Sequence, residues 1–461
     1  MNTYKKKLLL RGRIKIIKNS YSYAFVFSVL WGTGVFQAKA ADLTDIYRMA
    51  IDADPQFMAA NYNHQASREI LIQARSGYLP SVVARYDWSR TRQEILESDN
   101  VLFQTGTAHF PRTVIGLSLT QPVLRYDRVI RIRQAKNELK QADAELDKAA
   151  QDLVLRAAEN YLFALAAEDN LDYLKSERSA VEKQLVLAKA MREAKLGRVS
   201  DVLEADARLA SVMADYSDAE VEVRDAYEAI FELTGEIPTQ LKKLQKEFPL
   251  IKPEPLDVDY WVDVAIKQNW ELVIQREAME VARQEVKRQG AGHFPTVDLE
   301  LSQTTRDAGG TVFGGGSEVE DRVFMLRIEM PIYLGGSVSS KQREASLYYQ
   351  AEREELLRIS RKAKRETEKG FRGILNAIER VAARGKEVAA QEEVLKLKQV
   401  GYRANLYTNM SVLDAEQDLY SAKRDLAGAQ YEYILNSLRL KATVGELSET
   451  DLIDLNGWLT L

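Results

Sequence analysis

Cysteine is absent from all 461 residues. That excludes disulfides, thiolate metal sites, thiol catalysis and an N-terminal lipid-modified cysteine together. Histidine is scarce, with only His64, His109 and His293 available for acid–base or metal work. Di-metal helical bundles require Glu-x-x-His pairs, but the residues three positions before these histidines are Asn61, Gly106 and Gly290. Neither a Gly-x-Ser-x-Gly elbow nor a Gly-x4-Gly-Lys phosphate loop occurs, and the glycines near Gly314 have no lysine after them. We therefore expect no enzyme activity, no cofactor and no metal site. Proline numbers 10, and no apolar run reaches the roughly twenty residues of a membrane-spanning helix. The composition, 46% hydrophobic and 29% charged, is that of a folded chain and not of a disordered one.

Residues 1–40 read as a secretory signal. Lys5, Lys6, Lys7, Arg11, Arg13, Lys15 and Lys18 precede an apolar run from Ala24 to Phe36, and Ala38-Lys39-Ala40 supplies a small-x-small cleavage site. The expected mature chain starts at Ala41. Residues 1–40 hold eight Lys or Arg and no Asp or Glu, leaving 56 basic against 68 acidic side chains and a formal charge of −12. Nucleic acid is not an expected partner.

An internal repeat organises the rest. "AIDADPQF" from Ala50, "GYLPSV" from Gly77, "QPVLRYDR" from Gln121, "SDVLEADARL" from Ser200 and "ELTGEIP" from Glu232 form one series. Their counterparts follow in the same order: "AIKQNWEL" from Ala265, "GHFPTV" from Gly292, "MPIYLGGS" from Met330, "MSVLDAEQDL" from Met410 and "KATVGEL" from Lys441. The offset is 215 at the first two anchors and 209 or 210 afterwards, so only the segment between them changed length. Repeat 1 spans 41–235, a linker 236–257, and repeat 2 spans 258–461.

Each repeat reads as helix, strand, strand, very long helix, shorter helix. No proline lies between Pro122 and Pro238 or after Pro331, so both stretches can hold uninterrupted helices. The expected long helices are 124–196 and 337–402, and the shorter ones 200–235 and 410–445. Leu139, Leu146, Leu153, Ala157 and Leu165 recur with helical spacing among solvating charges, a pattern suited to helices packed side by side as coiled coils. The strand segments, about 81–92, 113–121, 296–306 and 322–331, alternate strictly. Val82, Ala84, Tyr86 and Trp88 interleave with Val83, Arg85, Asp87 and Ser89, and Phe324, Leu326, Ile328 and Met330 with Val323, Met325, Arg327 and Glu329. One apolar and one charged face suit a barrel wall between lipid and water. Alternation alone also fits a soluble sandwich. Four strands cannot close a barrel; three chains would supply twelve. The polar run Gln93 to Arg112 and the stretch Gly309 to Gly316 read as external loops.

The "GYLP" and "GHFP" entries to the strands, the "QPVL" and "MPIY" exits into long helices, and "DVLEA" with its partner "SVLDA" occur twice and in order. On these motifs, nearly the whole mature chain resembles the TolC family of outer-membrane efflux and secretion ducts. The resemblance implies a mixed α and β membrane protein, a homotrimer whose twelve-stranded barrel, four strands per protomer, sits in outer-membrane lipid. Coiled-coil helices would continue it as a periplasmic tunnel. A periplasmic adaptor and an inner-membrane transporter, ABC or proton-driven, would dock at the far end. The alternative function is a structural periplasm-spanning or adhesive trimer without transport.

The resemblance also implies an entrance where the long helices reverse. Asp414 falls on a ring carboxylate position, Tyr402 on a linking tyrosine and Asp201 on the first-repeat partner. Ser411 occupies what is often a second ring carboxylate, and Tyr407 stands where a linking arginine is found, with Arg198 or Arg403 as candidate replacements. From position alone, Asp201 and Asp414 also fit stabilisation of a helix N-terminus. The turn Gly197 to Asp201 reads as two residues shorter than Asn405 to Ser411. Tyr86 and Trp88 are expected at the outer membrane interface, and Tyr78, Tyr126 and Tyr333 at the inner one.

Overall fold

The computed structural model describes residues 40–97, 106–245, 247–310, 315–404 and 406–460. The signal-peptide expectation for residues 1–40, apart from Ala40, and the loop expectations at 98–105 and 311–314 lie outside these residues. Two short helices open each half: α1 (Leu43–Ala53) and α2 (Pro55–Ser76), then α5 (Val258–Gln268) and α6 (Trp270–Gly290). The single helix expected at each position is thus broken in two. Asp54 and Asn269, 215 residues apart, both take extended ψ and cap the second helix, accepting from the N–H groups of Phe57 (2.8 Å) and Leu272 (3.2 Å). A side chain that caps one helix ends the one before it.

Strands β1 (Ser81–Ile95) and β2 (Gly106–Leu124) follow α2, and β4 (Thr296–Ala308) and β5 (Ser317–Glu329) follow α6. They form one antiparallel sheet in the order β1-β2-β4-β5. The first hairpin is longer than its alternation suggests, since 93–95 and 106–112 are strand and not loop. Pro111 is tolerated in β2 because the pairing with β4 stops at Arg112↔Ala308, leaving that side of the strand without a ladder bond to lose. Pro122 lies beyond the Ser81↔Thr120 end of the β1 pairing, beside a bulge in the β4 pairing.

From the sheet run α3 (Tyr126–Glu193) and α7 (Ser337–Arg403), of 68 and 67 residues. At 1.5 Å per residue each is about 100 Å long. They reverse into α4 (Val199–Thr234) and α8 (Asn409–Val444). Both shorter helices end at a glycine in the left-handed region, Gly235 (φ +71°) and Gly445 (φ +81°), the conformation that a helix C-terminus favours and that glycine adopts without strain. The main core lies midway along the long helices, where Tyr161, Leu162 and Leu165 of α3 meet Ala226 and Ile230 of α4, and Phe371 of α7 meets Tyr433 and Leu438 of α8. Helix α9 (Glu449–Asn456) and the small pair β3 (Lys243–Leu244) with β6 (Leu459–Thr460) join it. Tyr161 is fully buried, and its hydroxyl donates to the carbonyls of Lys242 (2.8 Å) and Ala41 (3.3 Å).

Candidate functional site

Two regions leave this core and carry chemistry of their own. The first is the sheet, which buries almost nothing within the chain: every β1 residue from Ser81 to Arg90 is exposed. Register sorts its faces, because directly paired residues share one. Val82 pairs with Leu119, Leu119 with Leu301 and Leu301 with Phe324. That face also holds Tyr86, Trp88, Leu117, Ile115, Leu299, Val297, Leu326 and Ile328, the residues that alternate as apolar in the sequence. The opposite face holds Arg85, Asp87, Asp298 and Glu300, with ion pairs Arg306–Asp321 (2.6 Å) and Arg327–Glu300 (3.1 Å). The apolar band is oblique. It reaches Trp88 on β1 but ends at Phe324 on β5, level with Val82, and beyond that line β4 and β5 carry Gln303, Asp307, Glu318 and Glu320. A band level in a bilayer must cross tilted barrel strands obliquely.

Tyr86 and Trp88 stand 66% and 61% exposed on the apolar face. Tyr78, Tyr126 and Tyr333 lie at the sheet's helical end. There the Tyr78 hydroxyl donates to the Val123 carbonyl (2.9 Å), Tyr126 meets Phe294 edge-on with centroids 5.3 Å apart, and Tyr333 projects outward, 83% exposed beside Ile332.

The second region is the far end, where α3 turns into α4 and α7 into α8. Both connections have five residues, 194–198 and 404–408, so the first is not two residues shorter as the sequence suggests. The equivalence extends to hydrogen bonds, with Leu196 N–H donating to Met191 O and Leu406 N–H to Gly401 O. Asp201 therefore corresponds to Ser411, Glu204 to Asp414 and Gly197 to Tyr407. Asp201 accepts from the N–H of Arg198 (3.1 Å) at the start of α4. In α8 the cap is Thr408, whose Oγ1 accepts from the N–H of Ser411 (3.3 Å) and meets the Ser411 hydroxyl at 2.9 Å. Asp414, three residues further along α8, pairs with Arg208 of α4 at 3.2 Å, the arginine 18% and the carboxylate 47% exposed. Arg198 and Arg403 are exposed and form no ion pair among the described residues. Tyr407 forms no hydrogen bond to a carboxylate among the described residues. Its ring lies against Gly401, where a β-carbon would collide with it.

Tyr402 is buried, its hydroxyl meeting the Met191 sulfur at 3.4 Å; burial, then the nearby Asp201 carboxylate, raises its pKa above the usual tyrosine value. Asn409 is fully buried at the first position of α8, donating to the Asp201 carbonyl (3.1 Å) and bonded to Gln184 of α3. Sequence reasoning missed both Arg208 and Asn409. Each meets a partner in the other repeat, and only the register between the coils brings them together. Among the described residues no group of three or more His, Asp or Glu side chains is placed to hold a metal ion.

A family model described as outer membrane efflux protein matches residues 46–236 and 261–446. The chain belongs to the outer membrane efflux protein family. Both repeats match, and membership makes the chain an outer-membrane exit duct for secretion or efflux and not an enzyme. The structural or adhesive alternative falls with it. Similar curated proteins are the proteases secretion protein PrtF of Dickeya chrysanthemi, 28% identical over 94% of this chain and 95% of its own length, and the outer membrane protein TolC of Vibrio cholerae, 28% identical over 94% and 97%. Among solved structures, the Campylobacter jejuni CmeC outer membrane channel shares the fold with TM-score 0.75 at 13% identity over 98% of both chains.

Proposed function

We propose that three copies of this chain close a twelve-stranded barrel and a helical tunnel, and that the turns around Asp414 form the tunnel's entrance. A periplasmic adaptor and an inner-membrane transporter dock at that end. The edge strands carry the proposal. β1 and β5 each have one neighbour within the chain, and backbone groups left unpaired in lipid cost several kcal/mol apiece. Pairing β1 of one copy with β5 of the next satisfies them and repeats the lipid-facing apolar band around the whole wall. The charged face then lines a wet lumen, as conduction requires.

Protein is the cargo class we favour, because PrtF and the alkaline protease secretion protein AprF of Pseudomonas aeruginosa, 27% identical over 90% of this chain, are both named for protease secretion. Assembly is tested directly in a chain that has no cysteine of its own. Cysteine pairs, one on β1 and one on β5 of the same chain, should cross-link between copies into a ladder ending at a trimer. A monodisperse monomer with native strand content refutes the assembly. Deleting the gene should remove specific proteins from the culture medium; an unchanged medium with increased drug sensitivity would reassign the cargo to small molecules.

A further inference from the structure

Two carboxylates are buried in the seam between the coiled pairs. Glu416 of α8 is 5% exposed and Glu177 of α3 is 3% exposed. Glu177 has a counter-ion, Arg424 at 3.4 Å. Glu416 has none within salt-bridge distance among the described residues, and its Oε2 has no hydrogen-bond partner there. A buried carboxylate without compensation disfavours its own ionisation. The groups facing Glu416 do not relieve this. Glu177 of α3 adds repulsion, Lys183 of α3 and a hydrogen bond from Gln399 of α7 oppose it, and Tyr420 of α8 stands beside it as a neutral phenol. Arg208 and Asp215 of α4 and Arg424 of α8 act on Glu177.

The seam that holds Glu416 is less extensive than the contact within either coiled pair. Each long helix packs most extensively on the shorter helix that follows it, α3 on α4 and α7 on α8, while α8 meets α3 over less of its length. Movement of one coiled pair against the other would admit water to Glu416 and leave the pairs themselves intact.

We infer that Glu416 is a proton-operated latch, neutral when the α3–α8 seam is closed and ionised when the seam parts. The inference rests on the duct reading above, since it takes the seam to be the part that moves when the entrance opens. Burial, with the Glu177 charge adding to it, pushes the Glu416 carboxyl from its ordinary 4.5 up to about 7 in the closed seam. Water entry returns it toward the ordinary value. The closed state therefore binds more protons than the open state between pH 4.5 and 7, so closure is strongest below that window and weakens as pH rises through it. The bias per site is bounded by the shift itself, roughly 300-fold.

The test records wild-type, Glu416→Gln and Asp414→Asn trimers in planar bilayers from pH 4 to 8. In the wild type, open probability should climb tenfold or more between pH 4.5 and 7 and level off above. Glu416→Gln should stay at the low plateau at every pH, whereas Asp414→Asn should keep the rise. A flat wild-type profile, or the same rise in Glu416→Gln, overturns the latch. Infrared difference spectra supply a readout that needs no conduction: the protonated-carboxyl band near pH 6 should be present in the wild type and lost in Glu416→Gln. If no variant conducts, the duct reading fails; the spectrum then decides the protonation of Glu416 alone, and absence of the band overturns the latch as well.

Discussion

Neutralising Arg208 and Asp414 one at a time should open the entrance by similar amounts and change its cation affinity in opposite directions. The link spans 3.2 Å between α4 and α8, with Asp414 nearly half exposed. Solvent screening at that exposure limits the pair to about 0.5–1 kcal/mol. Threefold assembly triples it to about 1.5–3 kcal/mol, roughly a 10- to 150-fold shift in the open–closed equilibrium. Either Arg208→Gln or Asp414→Asn removes that closure. Arg208→Gln leaves three uncompensated carboxylates around one constriction and should strengthen block by a trivalent cation, whereas Asp414→Asn removes the carboxylates and should weaken it. Single-channel recording with and without the trivalent ion separates closure from charge. The reversed pair, Arg208→Asp with Asp414→Arg, should restore closure beyond the sum of its single variants. Strictly additive effects, or wild-type conductance and block in Arg208→Gln, would show that the pair is an incidental surface contact.

Trp88 fluorescence should be strongly quenched by headgroup-level lipid probes, since the indole stands on the apolar face at the outer end of the band; indifference to such probes would mean a soluble sheet. Gly445→Ala should cost more than about 1 kcal/mol, because the new β-carbon would lie 2.5 Å from the Gln268 carbonyl at φ +81°, while Gly235→Ala at φ +71° meets only Ala53 at 4.0 Å and should cost less. Denaturant midpoints of the two variants rank them, and equal values contradict the steric account. Burial alone would raise the Asp42 pKa, but hydrogen bonds from Lys242, Asn456 and the Asp45 N–H outweigh it and hold the carboxyl down at about 2. Its stabilising contribution is thus present above the ordinary 3.8 and lost as pH falls through 2, and Lys242→Met should flatten the fall in melting temperature over that window.

The repeat was readable because its motifs mark the ends of elements, where few residue types serve. Asp54 and Asn269 are caps, Gly235 and Gly445 are left-handed stops, and all four stand at the sequence anchors. Strand faces were readable for the same kind of reason, since Val82 to Trp88 and Phe324 to Ile328 alternate under one apolar demand. The hairpins' outer parts were not. Beyond the apolar band both faces are wet, alternation no longer selects residues, and Arg92 or His109 read as loop although they pair within the ladder. The capping position Asp54 hides a second role that spacing cannot show: it is 2% exposed and holds Arg156 of α3 through both carboxylate oxygens, at 2.6 and 3.1 Å.

The two far-end turns show how two copies of one motif acquire different chemistry without a change of backbone. Both turns have five residues and the same five-residue-back hydrogen bond. In the first, Asp201 supplies the cap, so its carboxylate is committed to the Arg198 N–H. In the second, hydroxyls of Thr408 and Ser411 do that work, and no first-turn acid remains in α8. A capping carboxylate points along its own helix start, whereas Asp414 sits a turn further on and can face another helix. Glu204, its counterpart, forms no ion pair among the described residues. Arg208 comes from the first repeat and Asp414 from the second, so the pair joins the two coils and not the two ends of one. The caps therefore differ, a carboxylate in the first turn and a hydroxyl in the second, while the charge that bridges the two repeats stands one turn further along α8, at Asp414, and depends on Arg208 of α4 lying within 3.2 Å of it.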